Sequence, residues 1–486
     1  MSPGAHWEGS AYRTISRVPG IGLCGGSKRK DMNFRHEVGL RIIKLVNVIW
    51  MTLAFATVWF YYYSSRVFEP YYFWGHVAII AFFAVLYSLF GKTYDAFLIS
   101  HYRISHIVSS QTLAVIFSDG IMYIVSFFLI RHIPNPIPLL ITFLDQVSLS
   151  IMWTVIAHSI YFKWFPAKKS IIIYDVRRGI KDLIEEYGLD KKFNVVKTAS
   201  VEECLDDMSM IDDMEVVFFS GIHSHDRNVL LKYCIYNNKQ VYMIPRIGDV
   251  IMSSAQQMHM FHLPMLRVNR YNPSPMFLFV KRVFDIVCSF LGLIVLSPVF
   301  LVTAIAIKAT DKGPVFYKQE RLTKDGKRFM IHKFRSMRVD AEKDGVARLS
   351  TGDNDDRITP VGRFIRKCRI DELPQLIDIL AGNLSVVGPR PERPEIAAEY
   401  EIEMPEFQLR LQAKAGLTGY AQVYGKYNTT PYDKLQMDLM YIARPSLAED
   451  MRICFATVKI LFMPDSTEGV AEGQTTAMDS GSNEVE

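Results

Sequence analysis

Asp371 and Glu372 stand side by side in the stretch IDELPQL (370–376), in a neighbourhood otherwise crowded with cations. Arg363, Arg366, Lys367 and Arg369 lie just upstream, and Arg390 and Arg393 follow in GPRPERPE (388–395). Bidentate guanidinium groups suit phosphate oxygens. A carboxylate held ionised by such neighbours can attack phosphorus. With an adjacent acid to hold a divalent cation, the site would be equipped for phosphoryl transfer. A plainer account fits the same residues. Pro374 suits the first turn of a helix running on through Leu380, and acids at its amino end would meet free amides and the positive pole of the dipole. Those amides also favour phosphate. Residue chemistry alone leaves both accounts open.

Such a site needs elements to hold it. The apolar run VFDIVCSFLGLIVLSPVFLVTAIAI occupies 283–307, with Ser297-Pro298 near its middle. Proline removes a backbone donor and kinks a helix, while a neighbouring serine can satisfy the carbonyl so freed, even in lipid. Lys281 and Arg282 precede the run and Lys308 and Lys312 follow it. A crossing helix would leave one basic end on the wrong face. A re-entrant segment that dips in, turns at Ser297-Pro298 and returns satisfies both ends.

At 486 residues the chain should hold two or three domains. Half of it is hydrophobic, yet 22% is charged, which implies a membrane portion joined to cytosolic portions. A net charge of +5 does not call for nucleic acid. The six cysteines include no CxxC pair, which argues against a disulfide framework or a zinc site and fits a reducing compartment. Four apolar stretches, at 43–64, 71–91, 111–130 and 137–162, are each long enough to cross a bilayer. Lys and Arg cluster before the first, between the second and third, and after the fourth, placing both ends of the bundle in the cytosol. Asp119 and Asp145 fall inside the third and fourth spans, where an acid is a functional suspect, though each could equally bond within the bundle. Met32 opens a more ordinary-looking amino terminus than residues 1–31. From 170 to 270 short β-branched runs (170–174, 193–199, 215–221, 240–245, 264–269) alternate with helical segments (180–188, 225–236, 248–261), arguing for a parallel α/β sheet. The turn after its first strand, 174–179, lacks the glycines of a dinucleotide fingerprint except Gly179. A cofactor-free, regulatory or oligomerising module is expected there.

Taken together, KRVFDIV (281–287), the Ser297-Pro298 break, KGPVFYKQERLTKDGKRFMIHKFRSM (312–337), GDNDDRIT (352–359), GRFIRK (362–367), IDELPQL, VGPRPERPE (387–395) and KAGLTGYAQV (414–423) resemble the bacterial polyprenyl-phosphate hexose-1-phosphate transferases. These are monotopic phosphoglycosyl transferases that begin exopolysaccharide, capsule or O-antigen assembly. The resemblance covers approximately 278–463 in unbroken order, and the upstream half resembles that of long-form members. It implies a four-span membrane helical bundle, a Rossmann-like α/β module and an α-rich catalytic domain with a re-entrant helix. The boundaries expected are a disordered extension over 1–40, the bundle over 41–164, the α/β domain over 165–275, the catalytic domain over 276–463 with its re-entrant helix at 283–307, and a disordered tail over 464–486. The activity implied is transfer of sugar 1-phosphate from a UDP-hexose, with UDP-glucose or UDP-galactose commonest, to undecaprenyl phosphate on the cytosolic face of the bacterial inner membrane. Asp371 matches the nucleophile that carries a covalent sugar phosphate, and Glu372 its magnesium-associated neighbour. Lys333, Arg335, Arg366 and Arg390 match phosphate-binding positions, and Ser297 and Pro298 the re-entrant break. Thr418, Gln422 and Asp438 lie in matching segments without an assigned role. Membrane lipids and a second copy of the chain are the other partners expected. Two rival readings remain: a membrane-anchored nucleotide-sugar dehydratase or epimerase, which would need an intact glycine-rich turn, and a scaffold whose basic surface only binds lipid headgroups.

Overall fold

A computed structural model describes residues 25–70, 72–177, 179–271, 273–338, 357–425 and 429–461. Five of its helices are long and apolar enough to cross a membrane: Val38–Arg66, Phe73–Thr93, Ile104–Ile130, Ile137–Trp164 and Pro275–Thr310. The first four belong to α1 (Gly25–Val58, prolonged by tighter and wider turns to Arg66), α2 (Phe73–Thr93), α3 (Ile104–Ile130) and α4 (Ile137–Trp164). The third begins earlier than residue 111. Its first turns are polar, but Ser109 and Ser110 donate back to the carbonyls of Ser105 and His106, at 2.9 and 2.8 Å, so the helix tolerates them. At the amino end the backbone is helical from Gly25, so residues 25–40 are not the unstructured extension expected there. Residues 1–24 and the expected tail at 464–486 lie outside the described residues.

The described chain divides into two bodies: residues up to Ser88 with Ser118–Phe165, and Leu89–Phe117 with everything from Pro166. In the first, Phe55 stacks on Phe83 at 4.4 Å and the buried Tyr87 hydroxyl donates to Asn47 at 2.8 Å. Asp119 is buried and Asp145 faces outward.

The second body contains a four-stranded parallel sheet in the order β2-β1-β3-β4, with β1 Lys168–Tyr174, β2 Phe193–Ser200, β3 Val216–Ser220 and β4 Gln240–Met243. Alternation sends Ile171, Ile173, Val217 and Phe219 to one core and Ile172 and Val216 to the other, so both faces are covered. A helix expected over 248–261 ends at Ser253, where Ser253 and Ser254 hydroxyls bond back to Val250 and Ile251 carbonyls. The chain then forms a separate antiparallel hairpin, β5 (Gln256–Met260) with β6 (Leu263–Arg267).

Next comes α5 (Pro275–Asp311), continuous through Pro298. Thirty-seven residues make a helix about 55 Å long, well beyond a hydrocarbon core of about 30 Å. Pro298 cannot donate to the Ile294 carbonyl, and the Ser297 hydroxyl does so instead at 2.8 Å. Its outer face leaves Ile294, Val295, Leu301 and Val302 exposed. Between Lys281 and Ile307 its inner face packs on the downstream segment. Gly292 admits Leu376, whose Cδ1 would stand 3.3 Å from a Cβ there. Leu293 and Leu296 join Phe329, Ile331 and Ile379, and Ile307 joins Phe334 and Ile365. The remaining frame is the hairpin β7 (Phe316–Leu322) with β8 (Arg328–Phe334), the helices α6 (Pro360–Lys367) and α7 (Gln375–Ala381), the short parallel pair β9 (Ser385–Val387) and β10 (Gly416–Thr418), and the helices α8 (Pro431–Ala443) and α9 (Leu447–Leu461). Of the GDNDDRIT motif only residues 357–359 are described.

Candidate active site

The two adjacent acids do not sit on a helix. Arg369 takes a left-handed φ of 54°, and the next residues form a separate 3-10 turn, Ile370–Glu372. A non-glycine residue held there costs on the order of 1–3 kcal/mol and needs support from its surroundings. Pro374 occupies the N-cap of α7 and offers no side-chain cap. Helix capping by Asp371 and Glu372, compatible with the sequence, is therefore not their role. The strained turn swings Glu372 toward three cations instead. Its Oε1 accepts from Lys333 Nζ at 3.4 Å and Arg390 Nη2 at 3.2 Å, and Arg369 Nη1 lies 3.8 Å from Oε2.

The same cations do not treat the two carboxyls alike. Burial opposes ionisation of Glu372, yet Arg390, Lys333 and Arg369 together hold it down at about 2. Asp371 goes the other way. Burial first, then the Glu372 charge, push it up to about 6, against the pull of Lys333, Arg366 and Arg369. The expectation that surrounding cations simply hold the reactive acid fully ionised is thus too simple. A carboxyl held above the usual range is more basic than an ordinary carboxylate.

Of the four expected phosphate ligands, Lys333 and Arg390 meet at Glu372 and Arg366 acts on Asp371. Arg335 is buried two residues beyond Lys333. Arg369 faces Glu372 directly, a role that its place upstream of the acids did not single out.

Arg390 is braced from behind. Gly388 passes so close to β10 that a Cβ would fall 2.3 Å from the Lys414 carbonyl, and its N–H donates to Thr418 O at 2.8 Å. Arg410, 5% exposed, donates to the Arg390 carbonyl at 2.8 Å and pairs with buried Asp438 at 2.7 Å. Asp378, also buried, accepts from both the backbone N–H (2.8 Å) and ring Nδ1 (2.7 Å) of His332, pinning β8 to α7 beside Lys333. Thr418 and Gln422 likewise serve the frame, bonding Thr457 Oγ1 at 2.6 Å and Leu417 O at 2.8 Å.

The first half of α5 is tied to this frame by polar side chains. Lys281 Nζ contacts Asp450 at 2.7 Å and the Tyr441 hydroxyl at 3.1 Å. Arg282 donates to the Ile379 and Leu380 carbonyls at the end of α7. Asp285 accepts from Ser385 Oγ at 3.1 Å and Val386 N at 2.9 Å. Lys281 is 8% exposed, so it is an internal tie and not the solvated membrane flank that its position suggested.

Among the described residues no group of three or more His, Cys, Asp or Glu side chains is arranged to hold a metal. Asp371 and Glu372 alone fit magnesium only in the manner in which that ion uses one or two carboxylates together with substrate phosphates.

The family model described as bacterial sugar transferase matches residues 276–464. An exopolysaccharide production protein of Rhizobium leguminosarum bv. phaseoli is 42% identical over 190 residues, 37% of this chain and 94% of that protein. The chain belongs to the bacterial sugar transferase family. It is also 35% identical, over 48% of its length and 54% of the relative's, to a UDP-N-acetylgalactosamine-undecaprenyl-phosphate N-acetylgalactosaminephosphotransferase of Aeromonas hydrophila. A UDP-glucose:undecaprenyl-phosphate glucose-1-phosphate transferase of Klebsiella pneumoniae is 42% identical over 37% of this chain and 39% of that protein. The chain thus spans about half or less of the length of these two longer relatives.

Proposed function

We propose that this chain transfers a sugar 1-phosphate from a UDP-sugar to undecaprenyl phosphate, releasing UMP. Asp371 attacks the sugar-bearing phosphorus. The bond from that phosphorus to the UMP oxygen breaks, UMP leaves with the electron pair, and an acyl phosphate remains on Asp371. A phosphate oxygen of the lipid then attacks the same phosphorus and returns Asp371 as carboxylate. The observation that carries this reading is the unequal treatment of the paired acids. Glu372 is locked by Lys333, Arg369 and Arg390, whereas Asp371 stays basic enough to react. Lys333, Arg335, Arg366 and Arg390 are proposed to receive the donor phosphates. Magnesium, which Glu372 would hold together with the donor diphosphate, would supply charge neutralisation for an anionic attack.

The substrates are proposed from the named relatives, whose donors differ in sugar; glucose and galactose remain the leading donors here. The site is placed on the cytosolic face of a bacterial inner membrane crossed by the first four apolar helices, where its product opens exopolysaccharide, capsule or O-antigen assembly. The fifth, α5, is a single helix continuous through Pro298, so the turn expected at Ser297-Pro298 is not formed as a reversal; we read it as lying against the frame with both ends on the cytosolic side. Support comes from its two ends, since Lys281 and Ile307 are both packed on one catalytic frame. Enzyme quenched with UDP-sugar alone should gain the mass of a sugar phosphate. Product formation on the lipid without that adduct would overturn the two-step route. Cysteine labelling at Met276 and Lys312, both exposed, from one side only is expected of a helix so placed. Labelling from opposite sides refutes it.

A further inference from the structure

The stretch 90–117, from the last turn of α2 through the linker into α3, has no part in the chemistry above, yet it packs within the same body as the catalytic frame. Phe455, on α9, stands edge-on to three rings at once: Phe90 at 5.5 Å, Tyr94 at 6.0 Å and Phe117 at 5.8 Å. Phe117 in turn stacks on both Phe90 and Tyr94. One helical turn on, Lys459 is 8% exposed and its amine donates to the Tyr94 carbonyl at 3.0 Å. Edge-to-face aromatic pairs of this kind add specificity of geometry beyond area burial. A buried amine without its acceptor would be costly.

The opposite side of α9 meets the site. Thr457, between those two residues, bonds Thr418 on β10, and the Thr418 carbonyl holds the N–H of Gly388, two residues before Arg390. We propose that Phe455 and Lys459, clamped by the segment 90–117, are positioning residues that set Arg390 against Glu372 through the Thr457–Thr418 contact. This inference rests on the transferase reading. It also says something particular about this chain. A relative covered over 94% of its length by a match taking in 37% of this chain has room for a catalytic segment but not also for a bundle. Here the catalytic frame has acquired a dependence on residues more than three hundred positions upstream.

The test uses the full-length chain in lipid nanodiscs, following UMP release from UDP-sugar with undecaprenyl phosphate. F455A and K459M should each lower kcat about tenfold, equal to about 1.4 kcal/mol of barrier, with donor KM little changed and F455L restoring most of the rate. The decisive arm is a double-mutant cycle. In an R390K background F455A should cost almost nothing further, because both changes act on one contact. Full additivity with R390K, or wild-type turnover in F455A and K459M, overturns the proposal. Absence of UMP release by the wild-type chain would instead count against the transferase reading itself.

Discussion

Replacing Lys281 tests how the long apolar helix is fastened to its catalytic frame. Lys281 and Asp450 have side chains 10% and 1% exposed and lie 2.7 Å apart. Tyr441 completes the cluster, donating to Asp450 Oδ1 at 2.8 Å. Removing one member of a buried ion pair typically costs about 3–5 kcal/mol, because the other charge is stranded. For a domain of about 150–250 residues each kcal/mol moves Tm by about 2–4 °C, so K281M should lower the unfolding temperature by about 6–20 °C. The triple change K281M/Y441F/D450L removes the charges and the stranded hydroxyl together and should recover most of that loss. The assay is intrinsic-fluorescence unfolding in detergent at one fixed scan rate, since such proteins often unfold irreversibly. The sign of the pH effect follows from Asp450. Burial already holds its carboxyl above the usual range, against the pull of Lys281. Without Lys281 it rises further. A carboxyl whose folded pKa exceeds its unfolded value destabilises increasingly as pH climbs through that interval, so the K281M deficit should shrink as the pH is lowered toward the ordinary carboxylate range. A K281M shift under about 2 °C would mean that the pair does not fasten the helix, and a triple variant no better than K281M would mean that the charge was never the issue.

Other outcomes follow from the same geometry. D371N should abolish UMP release and leave no sugar-phosphate adduct; measurable turnover in that variant removes Asp371 as nucleophile. Excess EDTA should stop UMP release and added magnesium should restore it, whereas undiminished activity would exclude a divalent ion from the step. D285A strands the part-buried Val386 N–H and the buried Ser385 hydroxyl, a buried group costing about 1–3 kcal/mol when unpaired, while D285N keeps an acceptor and should lose much less on the same unfolding assay. Equal losses in the two variants would assign the defect to packing.

How much of this could be read from the chain depended on the range over which each force acts. The apolar helices and the strands were legible because burial leaves unbroken apolar runs, long for the helices and short for strands covered on both faces, as 171–173 and 216–219 show. The paired acids and their cations were legible as a composition, since Arg366, Arg369, Asp371 and Glu372 are close in sequence. What sequence could not supply was the direction of each side chain. Whether Asp371 and Glu372 cap a helix or face Lys333 and Arg390 turns on one left-handed residue, Arg369, whose type gives no sign of it. Lys281 reads as a membrane flank by every local criterion, and becomes a buried tie only because Asp450 arrives from 169 residues away. The same holds for Arg410 behind Arg390 and for Phe455 among Phe90, Tyr94 and Phe117. These long-range polar and aromatic contacts carry no periodicity, so composition announces the reacting groups while the parts that aim them stay silent until the chain is folded. The difference between Asp371 and Glu372 is a property of that aiming. Glu372 is held below the ordinary carboxylate range because it is turned into Lys333, Arg369 and Arg390, whereas burial and the Glu372 charge push Asp371 above it.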